Sequence, residues 1–247
     1  MSDKWEKTID FLLENDIGDT MVILNSESCN IFINVLANAS DSFKDHKKGT
    51  PIYIQCVSLD IFRIIYKSIL GYIPMKDIFP DNFVNFAIVS KKLQIKSLYV
   101  QCEKWITEKW SDEYIRRTII NHGERLLDEN CISILEIMIT RDIRYELGNE
   151  HATLPVYVLL LYFNNKWMEE RNKYMLLLKM AKNGHAIKTK RLVHCVDMTR
   201  IGVLLFTENI SLANKIFSAN EITKILHSYM ITKISESKSD HDLEYSG

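Results

Sequence analysis

Glycine and proline are scarce in this chain, eight and four among 247 residues, and no two glycines are adjacent. No β-propeller blade signature fits that usage, and no other internal repeat is present. The phosphate loop and the G-x-G-x-x-G fingerprint are missing too, which leaves nucleotide binding through either without a basis. Neither sign of charge is in excess: 31 Lys and Arg face 32 Asp and Glu, a net charge of -1. No global field therefore draws the chain to nucleic acid or to an anionic membrane. The five cysteines, Cys29, Cys56, Cys102, Cys131 and Cys195, are odd in number and far apart, with no CxxC pair and no secretory signal before them. Such usage implies buried thiols in a reducing compartment. The longest apolar run, Val156 to Phe163, is far short of the roughly 20 residues that span a bilayer. The expectation is a cytoplasmic protein with no membrane and no nucleic-acid partner.

What is present is a 47% hydrophobic content, enough for one large packed domain or two ordinary ones. Trp5, Ile9 and Leu12 or Leu13 recur three or four apart, one face of an amphipathic helix closed by "NDIGD". "TMVILN" then reads as a strand, followed by a polar turn at "SESC". A helix is expected from about Phe32, a charged turn at "KDHKKGT", and a short strand at "PIYIQC". Ser58 is a candidate N-cap for a stripe of Leu59, Phe62, Ile65, Tyr66 and Ile69 that ends near Gly71. After the proline-containing loop "YIPMKDIFPDN", two helices are expected. The first buries Phe83, Phe86 and Ala87, the second Leu98, Cys102, Trp105 and Ile106, and "LQIK" joins them. Beyond Trp110 nearly every segment has a period near 3.6, including "LPVYVLLLYFNNKWMEE" and "EITKILHSYMITKI". Residues 111–234 are thus expected to be helical and 235–247 a disordered tail.

Chemistry-bearing constellations are weak. Cys131 or Cys195 with His185 or His194 would make a thiol and base, yet both cysteines sit in apolar helical context without a third group to orient a histidine. His185 and His194 stand nine apart with no second Cys/His pair at zinc spacing, so no metal site is expected. Lys188 to Arg191 reads as a solvated helix start, and Tyr157, Tyr162, Phe163 and Trp167 as core. No catalytic residue, cofactor or metal is expected; the chain reads as a non-enzyme.

The order of elements resembles the BTB (POZ) fold joined to a BACK domain, as in poxvirus and cellular kelch-like proteins. The residues that carry the likeness are "IGDTMVIL" with its Asp19, then "VLANASDSF" through Val35, Leu36, Ala37, Ser40 and Phe43. Gly71, "DNFV", "LQI", Cys102 and the pair Trp105 and Ile106 follow. Trp167, Arg171 and "LLLKM" are similar to BACK more loosely. The resemblance implies an α+β fold: a BTB/POZ domain over 1–110, with a small sheet and helices, and an all-α BACK domain over 111–234. Two departures stand out. The family's Ala-His-Lys is replaced by Ile31, Phe32 and Ile33, turning a polar pocket apolar. The hydrophobic-x-Glu element after Phe43 is replaced by a short basic turn without glutamate.

The function implied by the resemblance is that of a non-enzymatic adaptor, a homodimer that recruits a cullin-3 ubiquitin ligase scaffold to a host target protein. The isoleucine- and asparagine-rich usage fits a short viral version. The dimer interface is expected at Trp5, Ile9, Leu12, Leu13, Asp19, Ile31, Phe32 and Ile33. The cullin interface is expected at Phe43, Lys44, Asp45, Tyr72, Ile73, Met75, Asp77, Asp81 and Asn82. The alternative is a ligase-independent dimeric binder or inhibitor of a host signalling or transcription protein.

Overall fold

An amphipathic helix opens the chain. α1 (Asp3–Glu14) turns Ile9 and Leu13 into the core and leaves Phe11 57% exposed. The computed structural model describes the backbone of residues 3–24, 27–55, 57–71 and 80–244, and the side chains of 7–24, 27–55, 57–71 and 82–231. It divides into two compact units, Met1–Met138 and Ile139–Gly247.

In the first unit the turn after α1 is fixed by polar contacts. Asp16 takes a left-handed φ of 56°, and its carboxylate accepts hydrogen bonds from the backbone and side-chain N–H groups of Asn30. Gly18 follows because nothing larger fits: a Cβ there would lie 2.3 Å from the backbone nitrogen of Ile31. β1 (Thr20–Leu24) and β2 (Glu27–Ile31) form an antiparallel pair, and β3 (Ile52–Ile54) runs parallel to β1, giving the order β2-β1-β3. Val22 and Leu24 are fully buried while Met21 faces outward, the alternation of a sheet with one covered face. The expected turn at "SESC" is instead β2. Cross-strand pairing with β1 overrides its polar composition, placing Cys29 and Ile31 inward and leaving Glu27 and Ser28 exposed. Cys56, expected on the inner face of the third strand, lies outside the described residues.

α2 (Ile33–Ala39) begins after Phe32 and ends at Ser40, whose hydroxyl accepts from the Ser42 N–H at 3.2 Å to start a single 3-10 turn, Asp41–Phe43. α3 (Leu59–Ile69) is capped by Ser58, which accepts from the Ile61 N–H at 3.4 Å, and the chain leaves it through Gly71 at φ 82°. α4 (Pro80–Lys92) and α5 (Lys96–Glu108) bury the aromatic and aliphatic residues expected of them, and the joint is held in a left-handed turn at Gln94, φ 55°. Cys102 is fully buried, and desolvation pushes its thiol far above the ordinary range, as befits an inert packing residue.

α6 (Asp112–Asp128) belongs to this first unit, as does most of α7 (Ile132–Asp142). The units divide past the expected boundary at 110/111 because aromatic packing bridges it. The Phe83 and Trp110 ring centroids are 4.3 Å apart, Trp110 and Tyr114 5.3 Å, and Lys92 pairs with Glu129 at 2.9 Å.

The described part of the second unit is helical. Its full helices are α8 (Val156–Asn164), α9 (Glu170–Lys182), α10 (Ala186–Leu192), α11 (Val203–Glu208), α12 (Ile210–Ala213) and α13 (Ala219–Glu244). The single helix expected over "LPVYVLLLYFNNKWMEE" is broken at Asn165, whose side chain accepts from the Trp167 N–H at 3.0 Å and donates to Thr140 at 3.0 Å. Ser218 and Glu221 form a reciprocal capping box at the start of α13: Glu221 accepts from the Ser218 N–H at 2.7 Å, and Ser218 accepts from the Glu221 N–H at 3.4 Å. The segment from Ser235, expected to be disordered, continues that helix to Glu244. Lys188 of the basic run donates to the carbonyls of Thr153 and Leu154 at 3.0 and 3.1 Å, so it closes a turn rather than projecting freely. No described helix is long and apolar enough to cross a membrane.

Candidate functional site

The site is built by three consecutive apolar residues that point in alternate directions. Ile31 and Ile33 are each 1% exposed, whereas Phe32 between them is 39% exposed. Backbone contacts enforce this. The Asp19 N–H donates to the Ile31 carbonyl at 2.8 Å, and the Ile33 N–H donates to Asp19 Oδ1 at 2.8 Å. The Phe32 N–H donates to Tyr66 Oη at 3.1 Å. Tyr66 reaches this position from the buried stripe of α3, and burial raises its hydroxyl above the ordinary tyrosine value. Phe32 is thereby held at the lip of a recess.

That recess is an apolar groove of about 320 Å³ walled by α1, the end of β2, α2 and α3. Ile9, Leu12 and Leu13 form one wall, Ile31 and Phe32 the opposite one, with Val35, Tyr66 and Leu70 at the end. Ile17, 40% exposed, closes the rim, and Phe11 stands beside Thr8 at i, i+3 on the outer edge of α1. α1 is tied down by an ion pair between Lys67 and Asp10 and by Arg63, which donates to the Leu13 carbonyl at 3.4 Å.

Asp19 is engaged within its own chain. Besides the first N–H of α2, which Phe32 leaves uncapped, it meets Lys48 at 3.1 Å. The bond from Ile33 is the main cause that holds its carboxyl below the ordinary value, assisted by Lys48 and opposed by partial burial. The folded-state pKa is depressed, so the stabilisation is fully present above the ordinary carboxylate value near 3.9 and is lost as pH falls through the lower folded value. Asp19→Ala is expected to cost about 0.5–2 kcal/mol at neutral pH. In urea titrations the gap between variant and wild type should close on acidification; a gap that persists unchanged at pH 2 would refute the role.

The residues expected at a cullin interface are only partly within view. Phe43 is half-buried, its ring centroid 6.5 Å from that of His46 in an edge arrangement, and Lys44 and Asp45 are exposed on the same turn. His46 Nε2 lies 2.8 Å from the Thr50 carbonyl, within the basic turn, and the Gly49 N–H donates to the Asp19 carbonyl at 3.0 Å, which ties that turn to the start of β1. Asn82 is half-buried on α4. Tyr72, Ile73, Met75 and Asp77 lie outside the described residues, as do the side chains of Asp81 and Trp5.

No family model and no curated protein matches this chain. Among solved structures it is similar to the BTB domain of zebrafish PATZ1, at 19% identity and a TM-score of 0.34, over 44% of this chain and 98% of that one.

Elsewhere the structure gathers polar groups that spacing did not single out. In the second unit Asp142, His151 and Tyr162 meet with 0–1% exposure. The Gly148 N–H donates to His151 Nδ1 at 3.0 Å, which puts the ring proton on Nε2, 2.7 Å from Asp142 Oδ2. The Tyr162 hydroxyl donates to the same oxygen at 2.7 Å. Sealed from solvent, the three fasten the connection from α7 to α8. Of the thiols weighed as nucleophiles, Cys131 is fully buried and desolvation raises its pKa, while Cys195 and His185 are half-buried and His194 is exposed. Among the described residues no group of three His, Cys, Asp or Glu stands within reach of one metal ion. Two aromatics expected in the core, Tyr157 and Trp167, are 68% and 66% exposed, whereas Tyr162 and Phe163 are buried.

Proposed function

We propose that this chain is a non-enzymatic interaction protein whose first unit pairs with a second copy of itself through the α1 groove. Following the resemblance to BTB-BACK proteins, the pair then serves as an adaptor that recruits a cullin-3 ubiquitin ligase scaffold. The observation that carries the pairing is the presence on one face of both a recess and what fills it. An apolar groove is rimmed by exposed Ile17 and Phe32, and exposed Phe11 stands on the helix that forms one of its walls. Knob and hole on a single patch are self-complementary under a two-fold axis, the commonest symmetry of homo-oligomers. Closing them removes apolar surface from water at about 25 cal/mol per Å². Four of the residues expected at the interface, Ile9, Leu13, Ile31 and Ile33, are buried within one copy. The contact surface in this reading is Phe11, Leu12, Ile17 and Phe32.

Support for the cullin scaffold is the resemblance carried by "VLANASDSF", whose Phe43 is half-buried on a turn beside exposed Lys44 and Asp45. The missing glutamate favours the second reading, a ligase-independent binder or inhibitor of a host signalling or transcription protein. Sedimentation velocity and calorimetry on the full chain test both layers. Wild type should sediment as a dimer, and Phe32→Glu, which puts a charge into the groove, should raise the dimer Kd by at least about a hundredfold. A monomeric wild type at tens of micromolar refutes the pairing. Titration with the purified cullin-3 N-terminal domain separates the readings: heat supports the adaptor, and none at high micromolar concentration leaves the ligase-independent binder.

A further inference from the structure

A second recess lies at the joint between α4 and α5, sharing no residue with the α1 groove or with the expected cullin interface. It is a cleft of about 360 Å³ bordered by Ser90, Lys91, Gln94, Lys96, Tyr99 and Val100. Val100 is 59% exposed, an aliphatic side chain in water at the fifth residue of α5. The Lys91 ammonium sits 5.0 Å from the centre of the Tyr99 ring, so a cation and an aromatic face are presented together. Tyr99 is fixed by a 3.0 Å hydrogen bond between its hydroxyl and that of Ser133.

Cations dominate the lining of the cleft, and the nearest carboxylate on α5, Glu103, lies beyond it and acts on the Tyr99 hydroxyl only as a minor influence. No carboxylate lines it, and neither Lys91 nor Lys96 has an ion-pair partner among the described residues. Lys96 acts on Asp41 only as a minor influence, since Lys44 is the main partner of that carboxyl. α5 starts here with no acidic residue in its first turn and no side-chain cap from Ile95, so the positive end of a 13-residue helix adds to the two lysines. Ser90, fully buried and bordering the cleft, has a hydroxyl with no hydrogen-bond partner, an arrangement that native interiors seldom leave unfilled.

We propose that this cleft is a docking site for an acidic peptide segment of a partner protein, anchored by an apolar side chain. The anchor covers Val100 and the Tyr99 ring. Asp or Glu residues on either side of it meet Lys91 and Lys96. Charge complementarity selects this occupant. A nucleic acid would need a run of cations along its backbone, and two lysines over an apolar floor do not supply one.

A random peptide library displayed against the full-length protein tests this, followed by fluorescence anisotropy with synthetic peptides of the enriched sequences. Enriched peptides should carry an apolar residue flanked by Asp or Glu. Their binding should weaken at least about tenfold on the double charge reversal Lys91→Glu with Lys96→Glu. It should weaken several-fold with Val100→Ser, which removes the apolar floor without adding charge, and several-fold when salt is raised to about 0.5 M. Phe32→Glu, in the other groove, should leave it unchanged, which separates this site from the pairing surface. All the substituted residues are exposed, so circular dichroism should match wild type. Enriched peptides without acidic residues overturn the proposal, as does binding indifferent to the charge reversal. Failure to enrich any peptide overturns it too, as does displacement of the peptide by single-stranded nucleic acid.

Discussion

His151→Ala is expected to destabilise the second unit by about 3–5 kcal/mol, because it strips a buried carboxyl of one of its donors and opens a void beside it. Asp142 Oδ2 receives two hydrogen bonds of 2.7 Å, from His151 Nε2 and from the Tyr162 hydroxyl, and all three side chains are removed from water. Tyr162→Phe keeps the ring and loses one charge-assisted bond, so its cost should be nearer about 1.5–3 kcal/mol. The two donors share one acceptor, and their effects should therefore be non-additive in a double-mutant cycle. Urea unfolding followed by far-ultraviolet circular dichroism measures each term. A His151→Ala variant within 1 kcal/mol of wild type would mean that the network contributes nothing.

Phe206→Ala should cost a similar amount, about 3–5 kcal/mol. Phe206 is fully buried on α11, with ring centroids 6.1 Å from Tyr174, 6.2 Å from Phe217 and 6.1 Å from Tyr229, so it ties α9, α11 and α13 to one point. α11 has only six residues and cannot hold itself together without that contact. Tyr174 supplies an internal control. Burial pushes its hydroxyl up to about 12, yet that hydroxyl has no hydrogen-bond partner. Tyr174→Phe should therefore leave stability unchanged or raise it by up to about 1 kcal/mol. Thermal unfolding that ranks Tyr174→Phe below Phe206→Ala would contradict the assignment of Phe206 as the hub.

Most of the first unit was legible because its signals were local. The Ser58 cap, the stripe of α3 and the buried set of the α4 and α5 hairpin are written at fixed helical spacings, and a spacing does not depend on partners. A second short strand after the first was legible in the order of elements but not in its residues, since Glu27 and Ser28 become strand only through pairing with β1. The direction of Phe32 was hidden for the same reason: three apolar residues in a row say nothing about which one faces out. That depends on Asp19 and Tyr66, which lie far away in the chain. Phe11 did leave a signal, an apolar residue off the stripe of Ile9, Leu12 and Leu13. Tyr157 and Trp167 were misplaced because α8 is apolar on nearly every side, so periodicity could not orient it. Asp142 and His151 follow no spacing template, and the fold alone brings them together.

The parallel pairing of β1 with β3 also sets the timing of synthesis. β1 ends at Leu24 and its partner on that side begins at Ile52, so for a few seconds, at roughly 5–20 residues per second, a nascent chain carries β1 with one edge unpaired. An unpaired strand edge is a template for any other strand that meets it. β3 offers only three residues to close it, two of which, Ile52 and Ile54, are buried in the finished fold. Slower translation across this stretch is therefore expected to lengthen the exposure of that edge, whatever the strength of the finished sheet.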